Sequence, residues 1–391
     1  MKKSINIILL FLLFLNNIEG QEDNKSNSWW KNNTSLTGYV KYLNTTTFQN
    51  FNYLTLDNQL HNRINFKMYI NDNFTFDLQV RNRLLWGESL QNPYFKDFID
   101  TKNDIDMSGF LIDRKGLLLH SKIDRLSMTY NTGNWEFKAG RQRINWAKTW
   151  AWNPNDLFNA YNLLDFDYEE RPGSDAVSIR YNYGESGGIQ AVYSYAKDFD
   201  NSVIAIRDQF SIKTYDIQIL AAKYKKDISA GIGWEGYIKN AGFKGEVTLF
   251  TPMDKNDDKS TAVLTSLSLD YFFKNGLMMI AEVLYNSAGI KDSENFNIQG
   301  FYSESLNARN LMPNRLSYYL QSNYQINPAS SANMGIMYLQ ELKALGILPS
   351  YSYNISENWD LDFFGQFFFG KLNDDFKNVQ NGVYLRVRWS Y

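Results

Sequence analysis

RINFKMYINDNFTFDLQVR, residues 63–81, decides how this chain folds. Ile64, Phe66, Met68 and Ile70 alternate with Arg63, Asn65, Lys67 and Tyr69. After Asn71-Asp72-Asn73 the alternation resumes, with Phe74, Phe76, Leu78 and Val80 set against Thr75, Asp77, Gln79 and Arg81. Successive side chains of a strand point to opposite faces, so this period puts an apolar set on one side and a polar, charged set on the other. The Asn-Asp-Asn step reads as a tight turn between two strands of a hairpin.

The same pattern returns along the chain: at Val177, Ile179, Tyr181 and Tyr183, at Ile189, Ala191, Tyr193 and Tyr195, at Leu267, Leu269 and Tyr271, and at Trp359, Leu361 and Phe363. It closes the sequence at Val383, Leu385, Val387, Trp389 and Tyr391. A soluble sandwich also alternates, so periodicity alone does not say whether the apolar face meets a core or lipid. Strand length, aromatic caps and fully charged polar faces do. The predicted strands run about ten residues, as a tilted membrane strand requires. Trp86, Trp135, Trp234, Trp359 and Trp389 cap apolar faces as interfacial girdles do. An unpaired charge is too costly for a dry core but not for a wet lumen.

The expected fold is therefore all-β, a single antiparallel transmembrane barrel over 36–391 with a polar segment, 21–35, before it. The pattern yields 18 strands; alternation is poor over 202–213, 332–341 and 345–354, which makes 16 the alternative count. With the C-terminus in the periplasm, the long connections 87–116, 147–173 and 287–313 all fall on the outer side, and the short turns on the inner side.

Composition removes other classes. The 391 residues carry a formal charge of −2, which argues against a nucleic-acid partner. With no cysteine and two histidines, His61 and His120, there is little material for disulfides, a metal centre or a histidine-dependent nucleophile, and no cofactor or enzymatic activity is expected. Beyond residue 20 no uncharged apolar run approaches the roughly 20 residues of a membrane helix. Residues 1–20 pair Lys2 and Lys3 with an apolar stretch from Ile5 to Leu15, which reads as a cleaved signal peptide for export to the outer membrane. There the surroundings would be lipid and lipopolysaccharide. Oligomeric state is left open.

A barrel this wide is not filled by wall side chains, so something has to narrow it. Segment 146–172 is the expected constriction loop, with Trp146, Trp150, Trp152, Asp156, Asp165 and Asp167. Asn155 or Asp156 is placed to cap a short helix over Leu157 to Leu164. The alternative is an exposed loop packed by its own aromatics. Expected lumen charges divide into two walls. Arg63, Lys67, Arg81, Arg83, Arg125, Lys138 and Arg180, joined on closure by Arg386 and Arg388, form a basic wall. Glu235, Glu246, Asp270 and Glu282 form an acidic wall. Opposed walls set up a transverse field, and a basic one favours anionic solutes. The competing reading is that Asp77, Glu136, Asp360 and Asp362 pair with these cations across the ladder.

Gly140-Arg141-Gln142-Arg143-Ile144-Asn145-Trp146, followed by Asn153-Pro154-Asn155-Asp156, resembles a segment of porin-like outer-membrane barrels, including the alginate-export family. The resemblance implies that Arg141 and Arg143 line the pore. Arg141, however, shares parity with Trp135, Phe137 and Ala139, so either a bulge near Gly140 shifts the register or both arginines sit above the membrane. Tyr391, with Trp389, Val387 and Leu385, resembles the terminal signal read by the barrel-assembly machinery. The functional expectation is a passive porin for small hydrophilic solutes, with anions favoured. An exporter of acidic polysaccharide and a plugged structural or adhesive barrel are the alternatives.

Overall fold

The computed structural model describes residues 28–49, 53–92, 94–100, 103–159, 167, 171–254, 260–291, 306–372 and 375–391. The signal-peptide expectation over 1–20 and the constriction residue Asp165 lie outside the described residues. The strands are β1 (Thr34–Gln49), β2 (Tyr53–Tyr69), β3 (Phe74–Gly87), β4 (Ser108–Arg114), β5 (Leu117–Thr132), β6 (Trp135–Gln142), β7 (Ser174–Tyr183), β8 (Gly187–Ser194), β9 (Val203–Ile212) and β10 (Tyr215–Tyr224). They continue with β11 (Asp227–Ile238), β12 (Ala241–Pro252), β13 (Ala262–Phe272), β14 (Leu277–Asn286), β15 (Leu316–Asn327), β16 (Ser330–Leu339), β17 (Ala344–Ser356), β18 (Trp359–Leu372) and β19 (Asp375–Ser390). A short helix, α1 (Ser28–Asn33), precedes β1, and another, α2 (Phe95–Ile99), lies between β3 and β4.

Every pairing is antiparallel between neighbours, and β19 returns to β1 in a register running from Tyr39↔Ser390 to Phe48↔Asn381. The sheet is thus a closed barrel without an edge. β3 pairs directly with β5, so the ring holds 18 strands and β4 is extra. β4 rides beside the upper part of β5, from Ser108↔Lys122 to Arg114↔Leu117, while β6 covers the lower part. The alternative of 16 strands falls away, because β9, β16 and β17 are all full members of the ring.

Closure follows from the alternation. Val177, Ile179, Ile204, Ile206, Ile219, Ile232, Leu267, Leu320 and Ile336 face outward and are exposed, while Lys41, Arg63, Gln218, Glu246, Ser266 and Glu282 face inward and are buried. A chain that shows isoleucine outside and hides lysine and glutamate inside is inverted for water. Each large apolar side chain gains roughly 1.5–3 kcal/mol in an apolar medium, and a closed barrel satisfies all its backbone groups there. This barrel therefore belongs in a membrane. Among the described residues no helix is long and apolar enough to cross one; the strands do so.

Aromatic side chains mark the short-turn rim. Trp135 meets Tyr181 with ring centroids 4.7 Å apart, and Trp359 stacks on Trp389 at 6.3 Å. The Asn71-Asp72-Asn73 turn forms because the Asn71 side-chain oxygen accepts hydrogen bonds from the Asn73 and Phe74 N–H groups. Two-residue turns elsewhere place Lys213 and Lys239 in the left-handed region, at φ 56° and 55°, as tight hairpins demand of their first residue.

Two departures from expectation matter for the lumen. β1, β2, β5 and β19 span 16 or 17 residues rather than about ten. β5 also carries a bulge: Gln79 pairs with Arg125 but Val80 pairs with Ile123, leaving Asp124 as the extra residue. Parity along β5 reverses there.

Candidate functional site

Between β6 and β7 the chain turns into the barrel. Its N–H groups meet two carboxylates of the far wall. Glu246 of β12 accepts from Lys148, from Thr149 at 3.1 Å and from Asn155 at 2.8 Å. Glu282 of β14 accepts from Trp150 at 3.0 Å, Ala151 at 2.9 Å and Trp152 at 2.8 Å. Ser266 Oγ completes the Glu282 set at 2.9 Å. Asn155 further receives the Thr248 hydroxyl at 2.7 Å, and Gln218 donates to the Trp146 carbonyl at 2.8 Å. Trp146 and Trp152 are buried, whereas Trp150 stays exposed, its indole N–H on Asp270 at 3.0 Å and its ring under Lys244. Glu235 pairs with Lys244 at 2.7 Å and lies 3.7 Å from Lys148.

The expected helix over Leu157 to Leu164 does not begin: Asp156, Leu157, Phe158 and Asn159 are irregular, and 160–164 lie outside the described residues. The two capping candidates are otherwise engaged, Asn155 with Thr248 and Asp156 with Arg171 at 2.5 Å. Burial pushes the Asp156 carboxyl up to about 6, with Arg171 opposing the shift only in part.

Further along the same loop, Asp167 reaches the opposite wall. Its carboxylate binds Lys41 of β1 at 2.5 Å and Gln59 of β2 at 3.2 Å, and lies 3.5 Å from Arg386 of β19 and 3.8 Å from the His61 ring. Burial resists ionisation of Asp167, but the His61 ring and the Lys41 ammonium outweigh it and hold the carboxyl well below the usual carboxylate range. One loop thus touches both sides of the barrel.

The basic wall is dense and extensively paired. Asp124, projected by the bulge, binds Arg63 at 2.7 Å and Arg81 at 3.1 Å, with Arg125 and Lys122 also close. Two guanidinium groups thus share one carboxylate, and Arg125 donates to the Asp124 carbonyl at 2.9 Å. Arg83 donates to the Ile99 carbonyl at 2.6 Å and lies against His120, which contacts Asp100 at 3.0 Å. Arg386 binds Asp362 at 2.9 Å and Arg388 binds Asp360 at 2.6 Å, as the ladder-pairing alternative requires. Lys67 lies opposite Asp77, and Arg180 opposite Glu136, with Lys138 on the same inward face.

Arg141 and Arg143 are placed otherwise. Register is continuous from Lys138↔Ser178 to Arg141↔Asp175, so the anticipated bulge is absent. Gly140 instead adopts φ 110°, where a Cβ would stand 2.2 Å from the Leu126 carbonyl oxygen. Arg141 keeps its outward parity and is buried at the seam where β4 takes over from β6, bound through two nitrogens to Asp175 at 2.8 Å and to the Ile123 carbonyl at 3.0 Å. That makes it a wall fastener. Arg143 is exposed.

Sequence reading passed over Asp124, because period two assigns one face per parity and a bulge breaks that rule. It passed over Lys41 as well, whose role emerges only when β1 meets β19. Among the described residues no three His, Asp or Glu side chains are grouped to hold a metal.

A closed barrel of 18 strands, with a charged lumen and an infolded loop, defines a membrane-channel architecture. Crystal structures share it across nearly the whole chain. OccK7 (OpdD) of Pseudomonas aeruginosa matches with TM-score 0.58 at 10% identity, over 92% of this chain and 99% of that one. OprD of the same organism matches with TM-score 0.57 at 10% identity, over 92% and 95%. Acinetobacter baumannii OccAB4 matches with TM-score 0.56 at 9% identity, over 92% and 98%. These are outer-membrane porins of the OprD/Occ group, and the likeness is one of fold. No family model and no curated protein matches the sequence. Nothing in these comparisons supports the narrower likeness to alginate-export barrels.

Proposed function

We propose that this chain is an outer-membrane channel for passive diffusion of small hydrophilic solutes, in which segment 146–172 narrows the lumen and anions are favoured. The observation that carries the reading is the loop's double attachment, to Glu246 and Glu282 on one side and to Lys41 on the other. A loop tied at both ends occupies the cross-section of a barrel too wide for its own side chains to fill.

Anion preference follows from what each wall leaves facing water. Glu246 and Glu282 are covered by the loop, at 0% and 4% exposure, and of the remaining acidic wall Glu235 is paired with Lys244 and Asp270 takes the Trp150 indole N–H, so this wall contributes little to the aqueous field. On the other side Lys67 is exposed and Arg81, Lys138, Arg180 and Arg388 are half-buried, five cations in reach of water against the half-buried carboxylates of Asp77, Glu136 and Asp360. The residual potential is positive. In this reading the N-terminal 20 residues direct export, lipid and lipopolysaccharide surround the apolar band, and the exposed rings of Trp389 and Tyr391 at the end of β19 serve the assembly machinery.

Planar-bilayer recording of the detergent-purified protein tests the proposal. The expected result is a steady ohmic conductance whose reversal potential in a salt gradient shows anion preference. A silent barrel would make it a plug, cation preference would overturn the charge argument, and flux of acidic polymer without free small-solute flux would make it an exporter.

A further inference from the structure

The inward faces of β11, β12 and β13 form a recess opposite the loop. Beside Glu235, Lys244, Glu246 and Asp270, these faces present a cluster of small side chains, Ser229, Gly231, Gly233, Thr248, Ser266 and Ser268. The small side chains leave a recess, and the loop fills it. A Cβ on Gly231 would stand 2.5 Å from the Asn155 side-chain oxygen, and one on Gly233 would stand 2.7 Å from its nitrogen. At the margin of the recess, Glu246 and Glu282 take three backbone N–H groups each, among them the unbroken run from Lys148 to Trp152. A buried main-chain donor without a partner is costly, and a carboxylate is a strong acceptor for it.

Resting on the channel reading, we infer that Glu246 and Glu282 are positioning residues for the constriction: this wall is a built dock that recognises main chain, and it sets how far the pore is narrowed. The acidic wall then acts less as a source of field than as a mooring. Recognition of N–H groups has a specific consequence. The dock is indifferent to many loop side chains but sensitive to the removal of a single N–H. It is also sensitive to any added bulk in the recess.

The test compares both sides of one bond set by single-channel recording, with barrel integrity checked by heat-modifiable gel mobility. Glu282→Gln, Glu246→Gln and the double variant weaken the acceptors. Ala151→Pro removes one donor and leaves the wall untouched, while Ala151→Gly keeps that donor. Glu185→Gln, in an exposed turn, is the control. Each acceptor or donor lesion is expected to raise the population of a wider conductance level at least about tenfold, equivalent to one factor of ten in the docking equilibrium. Ala151→Pro in the Glu282→Gln background should add less than it does alone, because both remove the same bond. Folded variants with wild-type conductance would overturn the inference. If the glutamate variants fail to assemble, Ala151→Pro decides alone: unchanged conductance overturns the inference, and a wider level supports it. A wild-type protein that conducts nothing defeats the channel reading instead, so the two failures are distinguishable.

Discussion

The two walls of this lumen hold their charges in opposite ways. On β12 and β14, carboxylates accept main-chain N–H groups and vanish beneath the segment they bind. On β2, β3 and β5, guanidinium groups bind a side-chain carboxylate, Asp124, which they outnumber. The first arrangement consumes its charge in holding a shape. The second has charge to spare. Counting by strand already makes the walls unequal, nine cations against four carboxylates, and the geometry adds that two of the four carboxylates are taken up by the loop.

The largest expected effect follows from removing what lies between the walls. Deleting 150–168 should raise single-channel conductance several-fold; an unchanged value would mean that the loop does not set the pore width, and the contrast between dock and field would lose its purpose.

Next in size is the centre of the basic wall. Asp124→Ala leaves buried Arg63 and half-buried Arg81 without their carboxylate, and breaking a buried pair such as Arg63–Asp124 costs about 3–5 kcal/mol. Asp360→Ala, at a more exposed pair on the same wall, should cost no more than about 1 kcal/mol. Equilibrium unfolding in urea of the detergent-held barrels reads both, and similar losses would show that burial does not separate them.

Asp167→Asn sharpens the comparison on the side of selectivity. Lys41 and Arg386 lose a negative neighbour, so the reversal potential should move further toward anion preference. A shift toward cations would show that Asp167 is not a counterweight to this wall.

The smallest effect is pH dependence, and the two loop contacts have opposite signs. Asp156, raised from 3.8 to about 6, holds its proton in the docked state where the released chain has lost it. Docking is thus strongest below about 4 and weakens as pH rises toward 6. Asp167, held low, contributes above its ordinary value and is lost only in strong acid. Protease sensitivity of the loop should therefore increase between pH 4 and pH 6, with Asp156→Asn flattening the profile. A profile unaffected by that substitution would remove Asp156 from the account.

Strand positions were legible because lipid on one side and water on the other impose the same two-residue rule everywhere. The hairpin at 63–81 obeys it through Ile64 and Arg63 alike. The rule fails where geometry changes without a change in composition. Asp124 sits at a bulge that no local residue announces. Arg141 reads as a lumen residue by resemblance, but its parity already pointed outward, and the structure buries it against Asp175. The docking of 148–155 was hidden for another reason: its donors are backbone N–H groups, which every sequence carries. The visible clue was on the receiving side, in the small residues Gly231, Gly233, Ser266 and Ser268.

The contact of Asp167 with Lys41, Gln59 and Arg386 lies across the junction of the first and last strands. Its three partners stand together only after that junction has zipped. Lys41 and Gln59 lie on strands already paired to each other, so it is the Arg386 arm of the contact that requires the circle to be complete.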